Sequence, residues 1–537
     1  YKYSILIITA MKRILNCTLL FTVLILGSCK KMVDEEPLSD GTLDQFFKTK
    51  YDVFAAVAGM YGAFQQTMVG EAQFNNRITW WGDARSDNIQ NSTPNNSSNE
   101  VHFNNLSPNN TYADWSPLYT VIGRANLIIA KIDEVNSYAK AAERLTDAEI
   151  KFYSAQCYAM RAVSYFYILR IWGDAPIRTT PFLSLDDNPF APRDSKTKVK
   201  DQIIADLQKA YDLTVKGASP VVWYLGEGAI AAIMADVYMW KSHDNLILPD
   251  YTNAILWIKN VFKAKAPTGK VYNGSPTPNS AGLSNDLVPT AEWKTIFTNP
   301  AANIETIWNI HWDVNANGCP CMMAVSSTVN NTPMKTAAEM YTGTTSWLRA
   351  GLDVRAKQTI DSAKSDNFDR LIKWYGPAGY TNAKSTYMTR TQSDAVVGTD
   401  KPVYFPVYRL ADIFLLYAEA LNKTSDTANA IKYLNYVHKR ATLPAYTAAT
   451  LTTQALIEDA ILQERQWELF DEGKRWFDLC RTDRVIQIMD PLLKKRQLAA
   501  GAAQTGWGTD LRRYLWPLHR NVLNANPNLV QNPPYTD

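Results

Sequence analysis

"QERQWELFDEGKRWFDLCRTDR", residues Gln463–Arg484, carries six acids and five bases and threads Trp467, Phe470, Trp476 and Phe477 between them. Glu464, Glu468 and Glu472 stand four residues apart, so a helix would carry all three on one face. Two carboxylates so placed are the equipment of a glycosidase. Arg465, Lys474, Arg475 and Arg481 are close enough to neutralise them. A balanced set of charges among large aromatics describes a packed seam, in which ion pairs hold helices in register rather than transform a substrate.

Amphipathic helical patterns surround this stretch. Arg409–Asn422, Thr427–Arg440 and Thr453–Arg481 fill the last third of the chain. Upstream, Thr42-Leu43-Asp44-Gln45 is a capping-box pattern for a helix reaching about Met68, and Pro117–Val135 is a second helix. Thr146 and Glu149 cap a long helix bearing Phe152, Tyr153, Tyr158, Phe166 and Tyr167, which Gly173 is placed to stop. Lys198–Leu213, Gly228–Lys241 and Tyr251–Lys263 follow. Alanine-rich helices bearing large aromatics predict pairs packed side by side, small residues receiving large ones, as in tetratricopeptide-type stacking. The expected fold is mostly α, with such pairs, long irregular loops and a few short strands. Irregular insertions are expected near 75–110 and 267–351, with a short strand at Glu305–Trp312.

The chain opens with the layout of a signal peptide: Met11-Lys12-Arg13, a mostly apolar run Ile14–Leu26, then Gly27 and Ser28. The apolar run is shorter than the roughly 20 residues a spanning helix needs. A retained membrane anchor and plain secretion are the alternatives to processing at Cys29. Leu26-Gly27-Ser28-Cys29 resembles the lipobox of bacterial lipoproteins, which implies a lipidated Cys29 as the mature N-terminus and residues 29–41 as its tether. Tyr1–Ala10 lack a starting methionine, and Met11 is the expected start. Residues 1–28 remove Lys2, Lys12 and Arg13 and no acid, so the 55 basic residues become 52, against 52 acidic. Nothing in that balance draws the protein to nucleic acid. Cys157, Cys319, Cys321 and Cys480 are too scattered for a disulfide scaffold. Cys319-Pro320-Cys321 reads as a loop feature with a disulfide open to it, and no metal or cofactor is expected.

The Gln463–Arg484 stretch resembles the C-terminal signature of the SusD/RagB family of Bacteroidota outer-membrane lipoproteins. The matching residues are Glu464, Arg465, Glu468, Leu469, Glu472, Gly473, Arg475, Trp476, Asp478, Leu479 and Arg481. "YRLADIFLLYAEALN" (Tyr408–Asn422) and "YLWPLHRNVLNANPNLVQNPPY" (Tyr514–Tyr535) resemble further motifs in the family's order, with departures at Leu518-His519 and Pro534. "RIWGDAPI" (Arg170–Ile177) and "WSPLYTVIGRAN" (Trp115–Asn126) resemble its N-terminal half. The resemblance implies a single SusD-like helical domain over 42–537. It also implies a non-catalytic lipoprotein on the outer membrane, facing the exterior. That protein would capture glycan and hand it to a SusC-like TonB-dependent transporter. Capture of peptide or another oligomer is an alternative the resemblance allows; a lipid-anchored glycoside hydrolase is the enzymatic rival.

A sugar site needs aromatic faces for C–H surfaces beside polar groups for hydroxyls. "RITWWGDARSDN" (Arg77–Asn88) offers Trp80, Trp81, Asp83, Arg85, Asp87 and Asn88. The second irregular region adds Trp293, Trp312, Tyr341 and Trp347. If extended, Trp80 and Trp81 would point to opposite faces, so only one would face the core. Trp308 alternates with Ile310 and is expected inside; Trp312 ends the run and is expected exposed; Trp115 is expected to be structural. Asp83 and Asp87 leave Ca²⁺ as an alternative, though two carboxylates are few for it. Cys29→Ala is expected to move the protein out of the membrane fraction or stall its processing. Unchanged fractionation and unchanged mature mass would refute lipidation at Cys29.

Overall fold

The computed structural model describes residues 46–69, 77–91, 95–184, 186–274, 284–312, 334–348, 350–360, 371, 373–374, 403–508 and 510–536. Cys29, Cys319 and Cys321, and the Thr42–Gln45 capping pattern, lie outside them. Seventeen helices and four strands are named here: α1 Lys50–Val69, α2 Arg77–Gly82, β1 Ile89–Asn91, α3 Asn96–His102, α4 Ser116–Lys131, α5 Val135–Tyr138, α6 Asp147–Trp172, α7 Lys196–Leu213, α8 Glu227–Met239, α9 Tyr251–Lys263 and α10 Thr295–Thr298. Then come β2 Thr306–Trp312, β3 Met334–Thr336, α11 Val354–Thr359, β4 Val403–Arg409, α12 Leu410–Lys423, α13 Thr427–Arg440, α14 Gln454–Glu468, α15 Arg475–Arg481, α16 Val485–Ala499 and α17 Arg520–Ala525.

Local chemistry sets several boundaries as expected. Thr146 Oγ1 accepts from the Glu149 backbone N–H at 3.2 Å, and the Glu149 carboxylate accepts from the Thr146 N–H at 2.8 Å. This satisfies two donors that a helix start leaves unpaired. At the other end of α6, Gly173 takes φ +79°, a conformation without steric penalty only for glycine. The protein is mostly helical, and its helices pack in tetratricopeptide-like pairs: α6 with α7, α8 with α9, and α12 with α13. Buried Ala229, Ala231, Ala232 and Ala235 give α8 a low profile. Across the next groove, Phe262 of α9 meets Phe414 and Tyr417 of α12 edge-on and Tyr433 of α13 in a stack.

The chain divides into two units. Of the smaller, residues 46–52 and 134–144 are described; within it Lys48 Nζ sits 3.8 Å above the Tyr138 ring. The larger holds 53–133 and 145 onward. The stretch 75–110, expected to be irregular, contains α2, β1 and α3. β1 pairs antiparallel with β3, and β2 pairs antiparallel with β4. β4 follows a long segment without helical or strand periodicity, so its pairing was not foreseen. The expected helix Thr453–Arg481 is two helices. Asp471 and Gly473 have φ of +59° and +70° and turn the chain between α14 and α15. A Cβ at Gly473 would lie 2.5 Å from the Ile78 side chain, and one at Gly82 would lie 2.2 Å from the Gly473 carbonyl oxygen. The two glycines let α2 seat directly on the turn.

That turn brings the three glutamates into one buried knot. Glu468 receives Arg355 and Arg409 at 2.5 Å each, and Arg440 as well. Glu464 takes Arg355 and His438, both at 2.7 Å. Glu472 pairs with Arg409 at 2.8 Å and with Lys373. Glu305 pairs with Arg440, and its carboxylate accepts the Val288 N–H. A second set lies alongside: Arg465 on Asp412 and Asp478, Arg481 on Asp478 and Glu419. Burial alone would raise the Glu468 carboxyl; Arg440, Arg409 and Arg355 outweigh it and hold it well below the usual carboxylate range. A depressed carboxyl contributes stability above its unfolded value, about 4.3, and that stability is lost as the pH falls through the folded value.

Assembling such a knot yields little net stability, because desolvation opposes attraction, but removing one partner strands the others. Glu468→Gln is therefore expected to destabilise the fold by about 3–5 kcal/mol, read from the denaturant midpoint. The wild type is expected to lose stability on acidification below about pH 4. A Glu468→Gln midpoint equal to wild type would show that the knot bears no load.

Candidate functional site

The Arg77–Asn88 residues, expected to face a sugar, are bonded inward. Trp80 and Trp81 are both fully buried, because α2 is a helix seated in the core rather than an extended strand with two faces. Trp80 stacks on Tyr112 at 4.1 Å, and Trp81 Nε1 donates to the Tyr112 carbonyl at 2.9 Å. Asp83 accepts from Asn88 Nδ2 at 2.8 Å and from the Gly473 N–H at 2.6 Å; burial, then Asp471, pushes its carboxyl well above the ordinary range. Arg85 lies over Trp476 at 4.2 Å and donates to the Arg513 and Tyr514 carbonyls and to Asn104. Asp87 is paired with Arg475 at 2.8 Å, and Gln466 donates to both Asp87 and Asn88. This stretch clamps α2 to the α14–α15 turn. Both aspartates are engaged there, which leaves the Ca²⁺ alternative without a pair of open carboxylates.

The mid-chain candidates are also packed. Trp293 is fully buried beside Glu468, with its Nε1 3.4 Å from the carboxylate. Trp347 donates to Asp353 at 2.8 Å and lies with Tyr341 in the hydrophobic cluster around Phe470 and Leu371. Trp312, expected to be exposed, is 1% exposed, as is Trp308. A ring with both faces packed in the core offers none to a ligand, so the expectation of exposed platforms at these positions is corrected.

Aromatic surface gathers elsewhere. A cleft of about 310 Å³ is lined by Tyr61, Gln65, Trp223, Tyr224, Asn309 and His311 among others. Three segments build it. On α1, Ala58, Tyr61, Gly62 and Gln65 recur at helical spacing and form one wall. A Cβ at Gly62 would meet nothing within 4 Å among the described residues, so that wall stays low. The second wall is the turn ahead of α8. There Tyr224 packs edge-on against Tyr61 at 5.2 Å, and the Leu225 N–H donates to the Tyr61 hydroxyl at 3.1 Å. Burial keeps the Tyr61 hydroxyl protonated by pushing it well above its ordinary value.

The floor is β2. Its pairing with β4 slips twice, between Thr306 and Trp308 and again between Trp308 and Asn309. Such irregularities re-aim side chains. Pro406, which has no N–H, stands opposite Asn309, and the Asn309 N–H bonds across to the Val222 carbonyl at 2.9 Å. Gln65 donates to the His311 carbonyl, tying α1 to the strand. Three half-buried rings lie nearly parallel here. Trp223 stacks on His311 at 4.9 Å and on Tyr404 at 5.7 Å, and His311 on Tyr404 at 4.8 Å, with interplanar angles of 20–29°. Asn309 is 1% exposed, and neither Nδ2 nor Oδ1 has a hydrogen-bond partner among the described residues. An unsatisfied buried amide costs about 1–3 kcal/mol.

The residues of this cleft were not singled out by sequence. The one available signal was the alternation in "ETIWNIHW": if Trp308 and Ile310 face the core, Asn309 and His311 face away. Trp223 and Tyr61, and Tyr404 stacked on Trp223, carry no such signal, because they come together only in the fold.

Two family models match. One, described as the SusD family, covers residues 290–535; the other, described as "Starch-binding associating with outer membrane", covers 34–239. The chain belongs to the SusD/RagB family. SusD-like protein P38 of Formosa agariphila is 27% identical, over 98% of this chain and 100% of its own. Among solved structures, a SusD homolog from Bacteroides thetaiotaomicron aligns with a TM-score of 0.68 at 18% identity, over 92% of this chain and 98% of its own. A laminarin-binding SusD-like protein aligns with a TM-score of 0.66 at 20% identity, over 91% of this chain and 100% of its own. At those identities the likeness speaks to the fold. This SusD/RagB chain has the helical body of those structures, and its aromatic cleft lies between α1, the turn before α8 and β2.

Proposed function

We propose that this protein is a non-catalytic glycan-binding lipoprotein. It captures oligo- or polysaccharide at the outer membrane and passes it to a SusC-like TonB-dependent transporter. In this reading residues 1–28 are a signal peptide, lipidated Cys29 and residues 29–41 anchor the body, and the body faces the exterior. The observation that carries glycan capture is the cleft: the near-parallel Trp223 and His311 rings, backed by Tyr404 in the same stack, beside amide groups, the pairing that sugar rings and their hydroxyls require. The family description and the laminarin-binding relative support the same reading. The glutamates that would serve a hydrolase are each held by arginine or lysine in the buried knot, which favours binding over catalysis.

Stacking one aromatic face against a sugar is worth about 1 kcal/mol. Trp223→Ala is therefore expected to weaken binding roughly five- to tenfold with helicity unchanged. The measurement is affinity electrophoresis against laminarin, soluble starch, xylan and galactomannan, followed by calorimetry on whichever polymer retards the protein. Equal retardation of wild type and Trp223→Ala would remove the cleft from the binding role.

The transporter is tested separately. Gentle detergent extraction and affinity purification from native membranes are expected to recover a TonB-dependent barrel in near-equal amount. Repeated recovery of this protein alone, with the barrel present in the same membranes, would refute the partnership.

A further inference from the structure

We infer that the cleft reads an uncharged sugar residue through Asn309, which takes two adjacent hydroxyls, and that it excludes sulfated or uronate glycans. This rests on the proposal that the cleft binds glycan. Two independent observations support it.

The first is the Asn309 carboxamide. It lies at the cleft floor with both polar atoms unpaired among the described residues, although the large majority of buried side-chain polar atoms find partners in folded proteins. The carboxamide presents one acceptor and one donor side by side. A vicinal diol presents the complement: one hydroxyl donates to Oδ1 while its neighbour accepts from Nδ2. The backbone cannot relieve the amide, since the Asn309 N–H is already given to Val222. The neighbouring indole, Trp308, also lines the cleft, and its Nε1 has no hydrogen-bond partner among the described residues. A further sugar oxygen would satisfy it.

The second is charge. No lysine, arginine, aspartate or glutamate is among the described residues lining the cleft. The polar groups are amides, tyrosine hydroxyls and one imidazole. A sulfate or carboxylate entering it would shed water and find no full cation in return, which opposes binding. A neutral pyranose loses only hydroxyl hydration, and the amides restore it.

The test uses the full mature chain with laminarin, soluble starch, xylan and galactomannan as neutral probes, and alginate and carrageenan as anionic ones. Wild type is expected to be retarded by at least one neutral polymer and by neither anionic one. Asn309→Leu is expected to lose tenfold or more in affinity while melting at or above the wild-type temperature, because an unpaired buried amide is replaced by an apolar group of similar shape. A purely structural residue would not separate the two readouts in this way. Should Asn309→Leu fail to fold, Asn309→Asp keeps the shape, removes the donor pair and adds charge, with the same tenfold loss expected. Retardation by either anionic polymer would overturn the inference. So would Asn309→Leu binding within twofold of wild type while Trp223→Ala is weakened, which leaves the cleft as a glycan site but removes Asn309 from recognition. Binding unaffected by Trp223→Ala, or no retardation by any polymer, would instead refute the glycan reading of the cleft itself.

Discussion

Glu468 is the last residue of a helix, and its carboxylate is shared by Arg355, Arg409 and Arg440. Those arginines come from three separate elements: α11, the end of β4, and the end of α13. A desolvated carboxylate is tolerated only when such partners surround it, and each of them leans on it together with a second carboxylate, Glu464 for Arg355, Glu472 for Arg409 and Glu305 for Arg440. The knot is thus a condition on the tertiary structure as a whole. It is satisfied when the helix pairs, the ribbon and the α14–α15 turn are all in place, and it penalises arrangements in which one is not.

The same constraint reaches the cleft through the β2–β4 ribbon. At one end, Arg409 enters the knot, and Glu305, just ahead of β2, meets Arg440. Toward the other, His311 pairs with Tyr404 in the ladder, and both join the stack with Trp223. A seven-residue strand anchored by buried ion pairs is a stiff mount. Ring stacking and amide placement need such stiffness, since a site held loosely spends binding free energy on ordering itself. The two slips in the ribbon fall where the strand passes from its anchored end into the cleft, the second between the cleft residues Trp308 and Asn309. There the strand departs from plain alternation, and there Asn309 loses its usual ladder role.

The residues chosen from sequence as sugar contacts were sound in chemistry and misplaced in space. Tryptophan beside aspartate, arginine and asparagine describes a glycan site, and it equally describes a polar clamp in a core. Arg85 shows why: its guanidinium lies over Trp476 and gives its hydrogens to the Arg513 and Tyr514 carbonyls, all from remote parts of the chain, and to Asn104. Which partner an aromatic ring meets, a sugar or another protein group, depends on long-range contacts that local composition does not encode.

Local physics determined much by itself. The Thr146 capping box, the Gly173 stop and the alanine-faced helices follow from spacing and side-chain chemistry, which act over a few residues. The balance of the Gln463–Arg484 charges marked them as structural, but the glutamates pair with the distant Arg355, Arg409, Arg440, His438 and Lys373 rather than with the expected Arg465, Lys474, Arg475 and Arg481. The break at Asp471–Gly473 was partly legible, since Gly473 stands in the stretch, but the helical spacing of the glutamates masked it. Only the tertiary structure decided that Glu472 returns to Arg409 after that break, and that Pro406 stands opposite Asn309. It alone decided that Tyr61, Trp223 and His311 share one cleft, with Tyr404 stacked on the latter two. The reason is separation along the chain: these groups are brought together by helix pairing and strand register, whose energies are summed over the whole core and leave no mark on the residues' immediate neighbours.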